Sequence, residues 1–283
     1  MARFHVAHML RPESPGFEAY KEVIDTVLWG LRQIGHEATY GVNEISKNAT
    51  NIIFGANLLP EELLHSAPED TICYNLEQLR WHPQFKAGHE LTWWDYLVQK
   101  FQIWDYSGAN IPAWNSRIPR LPVKHLPICY APVLTSIPKA EEQDIDVLIY
   151  GGIGGNRLPV FSALAAAKMS VVFAHRLYGA GRDNLISRSK IVLNISLSRG
   201  KIFEVVRASY LMANSKAVIS DFSLDSFIEE DIPQGVIFVP TEGVVPTCRH
   251  LLTNEDLRVQ AEHRAFECIS RRDIRQFLSA ALA

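Results

Sequence analysis

One pattern occurs twice in this 283-residue chain, on either side of a proline-rich stretch: short apolar strands alternating with helical segments. In the first half, residues 4–9 read as a strand, and Ser14-Pro15 as the N-cap and first position of a helix. Tyr20, Val23, Ile24, Val27, Leu31 and Ile34 follow at three- and four-residue spacing, which builds one apolar helix face that Gly35 closes. Residues 38–42, 51–55, 71–75 and 103–107 read as further strands. After the prolines the pattern restarts, with strands at 146–150, 171–174, 190–195, 217–220 and 236–239. Helices are predicted at 158–168, at 202–213 and in the tail from residue 254. Strand, helix, strand in turn predicts parallel sheets with crossover helices. The expected fold class is α/β, with two Rossmann-like domains facing across a cleft.

Pro112, Pro119, Pro122, Pro127, Pro132 and Pro138 exclude regular helix from the middle of the chain and predict an extended connection. The expected division is residues 1–132, a linker at 133–143, a second domain at 144–265, and a C-terminal helix at 266–283 that packs back on the first domain. With 47% apolar and 21% charged residues the chain is globular rather than disordered. A net charge of −3 argues against bulk electrostatic capture of nucleic acid or anionic membrane. The start lacks the apolar core of a signal peptide, and no apolar run approaches the roughly 20 residues of a membrane span, so a cytoplasmic protein is expected. Cys73, Cys129, Cys248 and Cys268 are widely spaced with no CxxC pair, which predicts small buried hydrophobes rather than a zinc site or a disulfide framework. The tryptophans at 81, 93, 94, 104 and 114 are expected mainly in the core.

Open parallel sheets bind ligands at the carboxyl ends of their strands, so the chemistry is sought there. The turn 151–157 is glycine-rich and lies between a strand and a helix. Gly152 and Gly154 match the first two glycines of the dinucleotide fingerprint, but Arg157 occupies the sixth position. The lysine and Ser/Thr of a P-loop are also missing, and residues 173–176 offer no acidic partner for a nicotinamide ribose. A dehydrogenase is thereby disfavoured, and the turn is expected beside a nucleotide or a sugar. Between residues 182 and 207 six basic residues stand against two acidic ones. Arg199 and Lys201, between a strand and a helix, are the best candidates to meet a diphosphate. Glu204, expected in the first turn of the helix that follows, fits either the helix dipole or a pair of ribose hydroxyls.

Residues 190–196 together with 203–221 resemble the donor-binding region of GT-B glycosyltransferases, and most the bacterial branch of CgeB-like, spore-maturation-protein-like members. The resemblance rests on Phe203-Glu204-Val205-Val206, on the small residues up to Asn214, and on the strand ending at Asp221. It implies a transferase using a nucleotide-diphosphate sugar as donor, with no separate cofactor. Glu204 would then hold the ribose, Arg199 and Lys201 the diphosphate, Gly152 and Gly154 the cleft wall, and Tyr178 and Arg182 the base. The family's earlier acidic residue of an E-x7-E pair has no counterpart, so inverting and retaining chemistry both stay open. No DxD motif stands in the sequence, and metal-independent transfer is expected. The first half would supply the base that deprotonates the acceptor hydroxyl. Residues that follow strands there are Glu77, Asp105 and His8, with Glu77 ranked above Asp105, and also Arg11 and Glu13. The acceptor remains open among a glycan, a protein, a small molecule and a modified nucleic acid. The alternatives are an inactive GT-B-like nucleotide-binding module and, behind it, an NAD-dependent oxidoreductase.

Overall fold

A computed structural model describes residues 1–10, 20–59, 61–79, 93–118, 121–197, 202–223 and 225–283. The chain divides into two compact units, Met1–Ile128 with Asp273–Ala283, and Cys129–Arg272.

In the first unit the strands are β1 (Arg3–His8), β2 (Glu37–Val42), β3 (Thr50–Phe54), β4 (Ile72–Asn75), β5 (Gln102–Asp105) and β6 (Val123–His125). They form one parallel sheet in the order β2-β1-β3-β4-β5-β6. β3 and β4 are buried almost throughout, as expected for strands covered on both faces. On one face Ala7, Met9, Ile53, Cys73 and Ile103 pack against Trp94, Leu97 and Trp114. The two tryptophans meet edge to face, their centroids 5.7 Å apart. Helix α1 (Lys21–Gln33) packs against the C-terminal helix Ile274–Leu282 of the same unit. Three further helices are α2 (Glu61–Ser66), α3 (Trp93–Lys100) and α4 (Ile111–Arg117).

The proline-rich stretch is therefore not wholly extended. Pro112 stands in the first turn of α4, where a missing N–H costs nothing. β6 then adds the edge strand, three residues long. The tryptophan expectation holds for Trp94, Trp104 and Trp114, which are buried, while Trp81 lies outside the described residues.

The second unit carries β7 (Ile145–Gly151), α5 (Arg157–Ala166), β8 (Val171–His175), α6 (Gly179–Arg188), β9 (Ser189–Asn194) and α7 (Val205–Ala213). β10 (Ala217–Asp221), β11 (Ile237–Val239), α8 (Val244–Thr253) and α9 (Glu255–Ser270) follow. Its sheet is again parallel, ordered β11-β10-β9-β7-β8. Val147 and Ile149 of β7, Ile191 and Leu193 of β9 and Ile219 of β10 form the core with Leu164, Cys248 and Leu251. The strand order reverses between β7 and β9, and loops leaving their carboxyl ends open a crevice there. In the first unit the same switch lies between β1 and β3. All four cysteines are free and buried. Among the described residues no helix is long and apolar enough to cross a membrane.

Candidate functional site

β7 ends in a tight glycine turn at the switch of the second sheet. Gly151 has φ of 120° and Gly155 has φ of 53°, a region that side chains other than glycine rarely adopt. A Cβ on Gly155 would lie 2.1 Å from the carbonyl oxygen of Leu197, and one on Gly151 2.9 Å from the guanidinium groups of both Arg157 and Arg207. The turn is folded back this tightly around Arg157, the first residue of α5, whose side chain has no exposed surface. Arg157 Nε donates to the carbonyl of Ile195 at 2.7 Å, and Nη1 to that of Gly152 at 2.8 Å. Its Nη2 donates to both carboxylate oxygens of Glu204, at 3.1 and 3.2 Å. Arg207, in the first turn of α7, meets Glu204 Oε2 at 2.7 Å and Asn194 Oδ1 at 3.1 Å. Its guanidinium lies over the Tyr150 ring, 5.3 Å from the centroid.

Two arginines thus share one carboxylate at the carboxyl ends of β7 and β9, and Asp221 also acts on Arg157. Burial and Arg207 lower the pKa of Arg157, while Glu204 and Asp221 hold it up. A guanidinium stays charged under such opposing influences. Exposure separates the roles. Glu204 and Arg207 keep 25% and 17% of their side-chain surface, so both can touch a ligand, whereas Arg157 acts through them. α7 starts at Val205, which puts Glu204 at the N-cap rather than in the first helical turn, and its side chain makes no capping bond. Pairing with the two arginines, not the helix end, fixes the carboxylate.

Beyond Glu204 the ends of β9, β10 and β11 surround an open pocket of about 330 Å³. Asp221 anchors its floor. Ser196 N–H donates to Oδ1 at 2.8 Å and Asn156 Nδ2 to Oδ2 at 3.3 Å, and the same amide reaches Thr241 Oγ1 at 3.2 Å.

Of the donor-side residues predicted from sequence, Gly152, Gly154 and Glu204 come together around this cluster. Tyr178 caps α6 half-buried. Arg182 is buried one turn later. It donates to Asp183 at 2.9 Å and stacks 4.5 Å over the Tyr210 ring, a packing role. Arg199 and Lys201 lie outside the described residues, as do Arg11 and Glu13. The sequence reading passed over Arg157, Arg207, Asn156 and Asp221 as individual site residues. Arg157 carried a signal, an arginine where the fingerprint wants its last glycine.

In the first unit Asp105 is wholly buried at the end of β5. It accepts from Asn75 Nδ2 at 2.8 Å, Asn110 Nδ2 at 3.0 Å, Trp114 Nε1 at 2.7 Å and the N–H of Ser107 at 2.9 Å. Burial pushes its pKa up to about 6 against these bonds. Asp105 is therefore corrected from a candidate base to a structural carboxylate: every oxygen is engaged and no surface faces an acceptor. His8 is also buried, its Nδ1 3.4 Å from Tyr40 Oη, and burial lowers its pKa. Glu77, half-buried after β4, accepts from Tyr20 Oη at 2.7 Å. It is the one of the three with accessible surface.

No protein-family model matches the chain, and no curated protein sequence matches it. Solved structures do. Anabaena HepE in complex with UDP and glucose aligns at TM-score 0.65 and 9% identity, over 98% of each chain. An alpha-glucosyltransferase in complex with UDP and a 13-mer DNA containing a HMU base aligns at TM-score 0.66 and 11% identity, over 99% of this chain and 98% of that one. TarM, known from S. aureus, aligns at TM-score 0.61 and 11% identity. That match covers 84% of this chain and 54% of TarM, so the chain spans about half of TarM's length. Likenesses at such low identity speak to architecture, and the architecture they show is that of the GT-B glycosyltransferases, an α/β fold with two parallel sheets.

Proposed function

We propose that this chain is a glycosyltransferase that moves a sugar from a nucleotide-diphosphate sugar to an acceptor hydroxyl. The observation that carries the reading is the Arg157–Glu204–Arg207 cluster at the strand-order switch of the second sheet. Glu204 accepts hydrogen bonds from two ribose hydroxyls, held in place by arginines on both sides. Arg207 and the N–H groups of the glycine turn meet the diphosphate, with Arg199 and Lys201 as further cations. As the acceptor oxygen bonds to the anomeric carbon, the bond from that carbon to the phosphate oxygen breaks. Its electron pair leaves on the diphosphate, where guanidinium charge stabilises it without a metal. Glu77 takes the acceptor proton, and Tyr20 orients its carboxylate. UDP is the first nucleotide to try, because HepE and the alpha-glucosyltransferase are seen with it. Membership of the CgeB-like branch is supported by the resemblance of residues 190–196 and 203–221.

The test is a thermal-shift panel of UDP, GDP, CMP, ADP and dTDP and their sugars, followed by assay of nucleotide release from the donor that stabilises most. Stabilisation by one diphosphate, with release that rises when an acceptor is added, is the expected result. Stabilisation without any release would instead identify a binding module. A folded protein that none of the ligands stabilises would contradict the reading.

A further inference from the structure

A single nitrogen anchors Arg207. Both hydrogens of Nη1 are taken, one by Glu204 Oε2 at 2.7 Å and the other by Asn194 Oδ1 at 3.1 Å. Nη2 and Nε meet no hydrogen-bond acceptor among the described residues. Nη2 lies against the glycine turn, 2.9 Å from where a Cβ on Gly151 would stand. The Tyr150 ring covers the guanidinium, its centroid 5.3 Å away. Three N–H donors of a half-buried side chain are therefore spare, two of them on the nitrogen beside the turn.

Asn194 ends β9 and is buried, 2% exposed. An amide can present its oxygen or its nitrogen, and only the oxygen accepts from an arginine. Ser220, its partner on the neighbouring strand β10, decides which one faces Arg207. The Ser220 hydroxyl donates to the carbonyls of Asn194 and Asp221, at 2.7 and 3.1 Å, so it meets Asn194 Nδ2, 3.4 Å away, with a lone pair. Nδ2 turns to Ser220 and Oδ1 to Arg207. An aspartate at 194 would also accept from Arg207. With Glu204 and Asp221 it would set three carboxylates against two arginines among the described residues, and a diphosphate would be repelled. The amide supplies the acceptor without the charge. We propose that Asn194, oriented by Ser220, is a positioning residue of the diphosphate site: it occupies Arg207 Nη1 and so leaves Nη2 and Nε for the phosphates. This rests on the reading of the Arg157–Glu204–Arg207 cluster as a nucleotide site. Asn194 touches no ligand itself and acts through Arg207.

The experiment is a double-mutant cycle on the full chain, read by calorimetric titration with UDP, or with whichever of GDP, ADP and dTDP stabilises the wild type most. Asn194→Ala should weaken binding about fivefold, the coupling expected within one hydrogen-bond network. The fold should hold, because Ser220 bonds the main-chain carbonyl of residue 194 and Arg207 keeps Glu204. In an Arg207→Ala background the same substitution should change affinity by less than about twofold, since no guanidinium is left to orient. Asn194→Leu, of similar shape, replaces Asn194→Ala if the latter loses the wild-type melting temperature. Equal losses in the two backgrounds are the mark of a merely structural role in β9 and overturn the assignment of Asn194. So does wild-type affinity in Asn194→Ala. Both results leave the nucleotide site standing. If none of the four diphosphates binds the wild type, the nucleotide reading falls, and the role of Asn194 with it.

Discussion

The two sheets run the same course through their first five strands, yet their carboxyl ends are built differently. In the second unit the switch is open and charged. Arg157 is buried, but it supports Glu204 and Arg207, which keep surface. In the first unit the end of β5 is closed. Asp105 collects four donors from β4, its own loop and α4, and shows nothing to solvent. A carboxylate after a parallel strand is thus either a tool or a rivet, and the number of internal donors on it decides which. Glu77, one strand away from Asp105, accepts one side-chain bond, from Tyr20, and remains reachable.

Substitutions should split along this line. The largest effect is expected at Glu77. Glu77→Gln should lower transfer about 10²–10⁴-fold with an unchanged melting temperature, read from initial rates on the donor found by the binding panel. A loss under threefold would remove Glu77 as the base. Arg157→Ala comes next, because it empties the space inside the glycine turn and removes one of the two guanidinium partners of Glu204. Because Glu204 keeps Arg207 and a quarter of its surface, the loss should fall below the about 3–5 kcal/mol of a fully buried pair broken outright, read by denaturant unfolding. Asp105→Ala removes the carboxylate acceptor from Asn75, Asn110, Trp114 and Ser107, at roughly 1–3 kcal/mol per group left unpaired. It should leave nucleotide affinity untouched, which is the sharpest contrast with Glu204.

A further effect is a pH dependence. Burial pushes the Asp105 carboxyl from its ordinary 3.8 up to about 6, so the folded state holds its proton more tightly. Its contribution to stability is full below about pH 4 and is lost as pH rises through 6. Wild type should lose this increment between pH 4 and 6, and Asp105→Asn should not. Equal pH profiles for the two would show that the carboxyl is ionised in the native state at pH 4.

The strands were legible in the sequence because a strand covered on both faces is a short continuous apolar run, as at 52–54 and 147–149. The helices were less so. α6 buries only Arg182 and Ile186, and a helix with so small a buried face shows no apolar period. α4 was hidden by Pro112, which reads as a breaker unless the first turn is known to begin there. At the site, Glu204 was legible from its local pattern. Arg157 was not, because its partners Ile195 and Glu204 are about 40 residues away, and a fingerprint built on glycines treats an arginine as a failure. Asp105 and Glu77 look alike as sequence, both following a strand. Only Asn110 and Trp114, folded back on Asp105 by α4, tell them apart.

The most direct test of the central claim, that the second unit's arginine–glutamate cluster is a nucleotide site, is calorimetric titration of UDP into wild type, Glu204→Gln and Asp105→Asn, all at a pH where each is folded. UDP should bind wild type and Asp105→Asn with the same affinity. Glu204→Gln should bind about tenfold more weakly, the loss of roughly 1.4 kcal/mol expected for one charge-assisted ribose contact. Equal affinity in all three proteins would contradict the assignment.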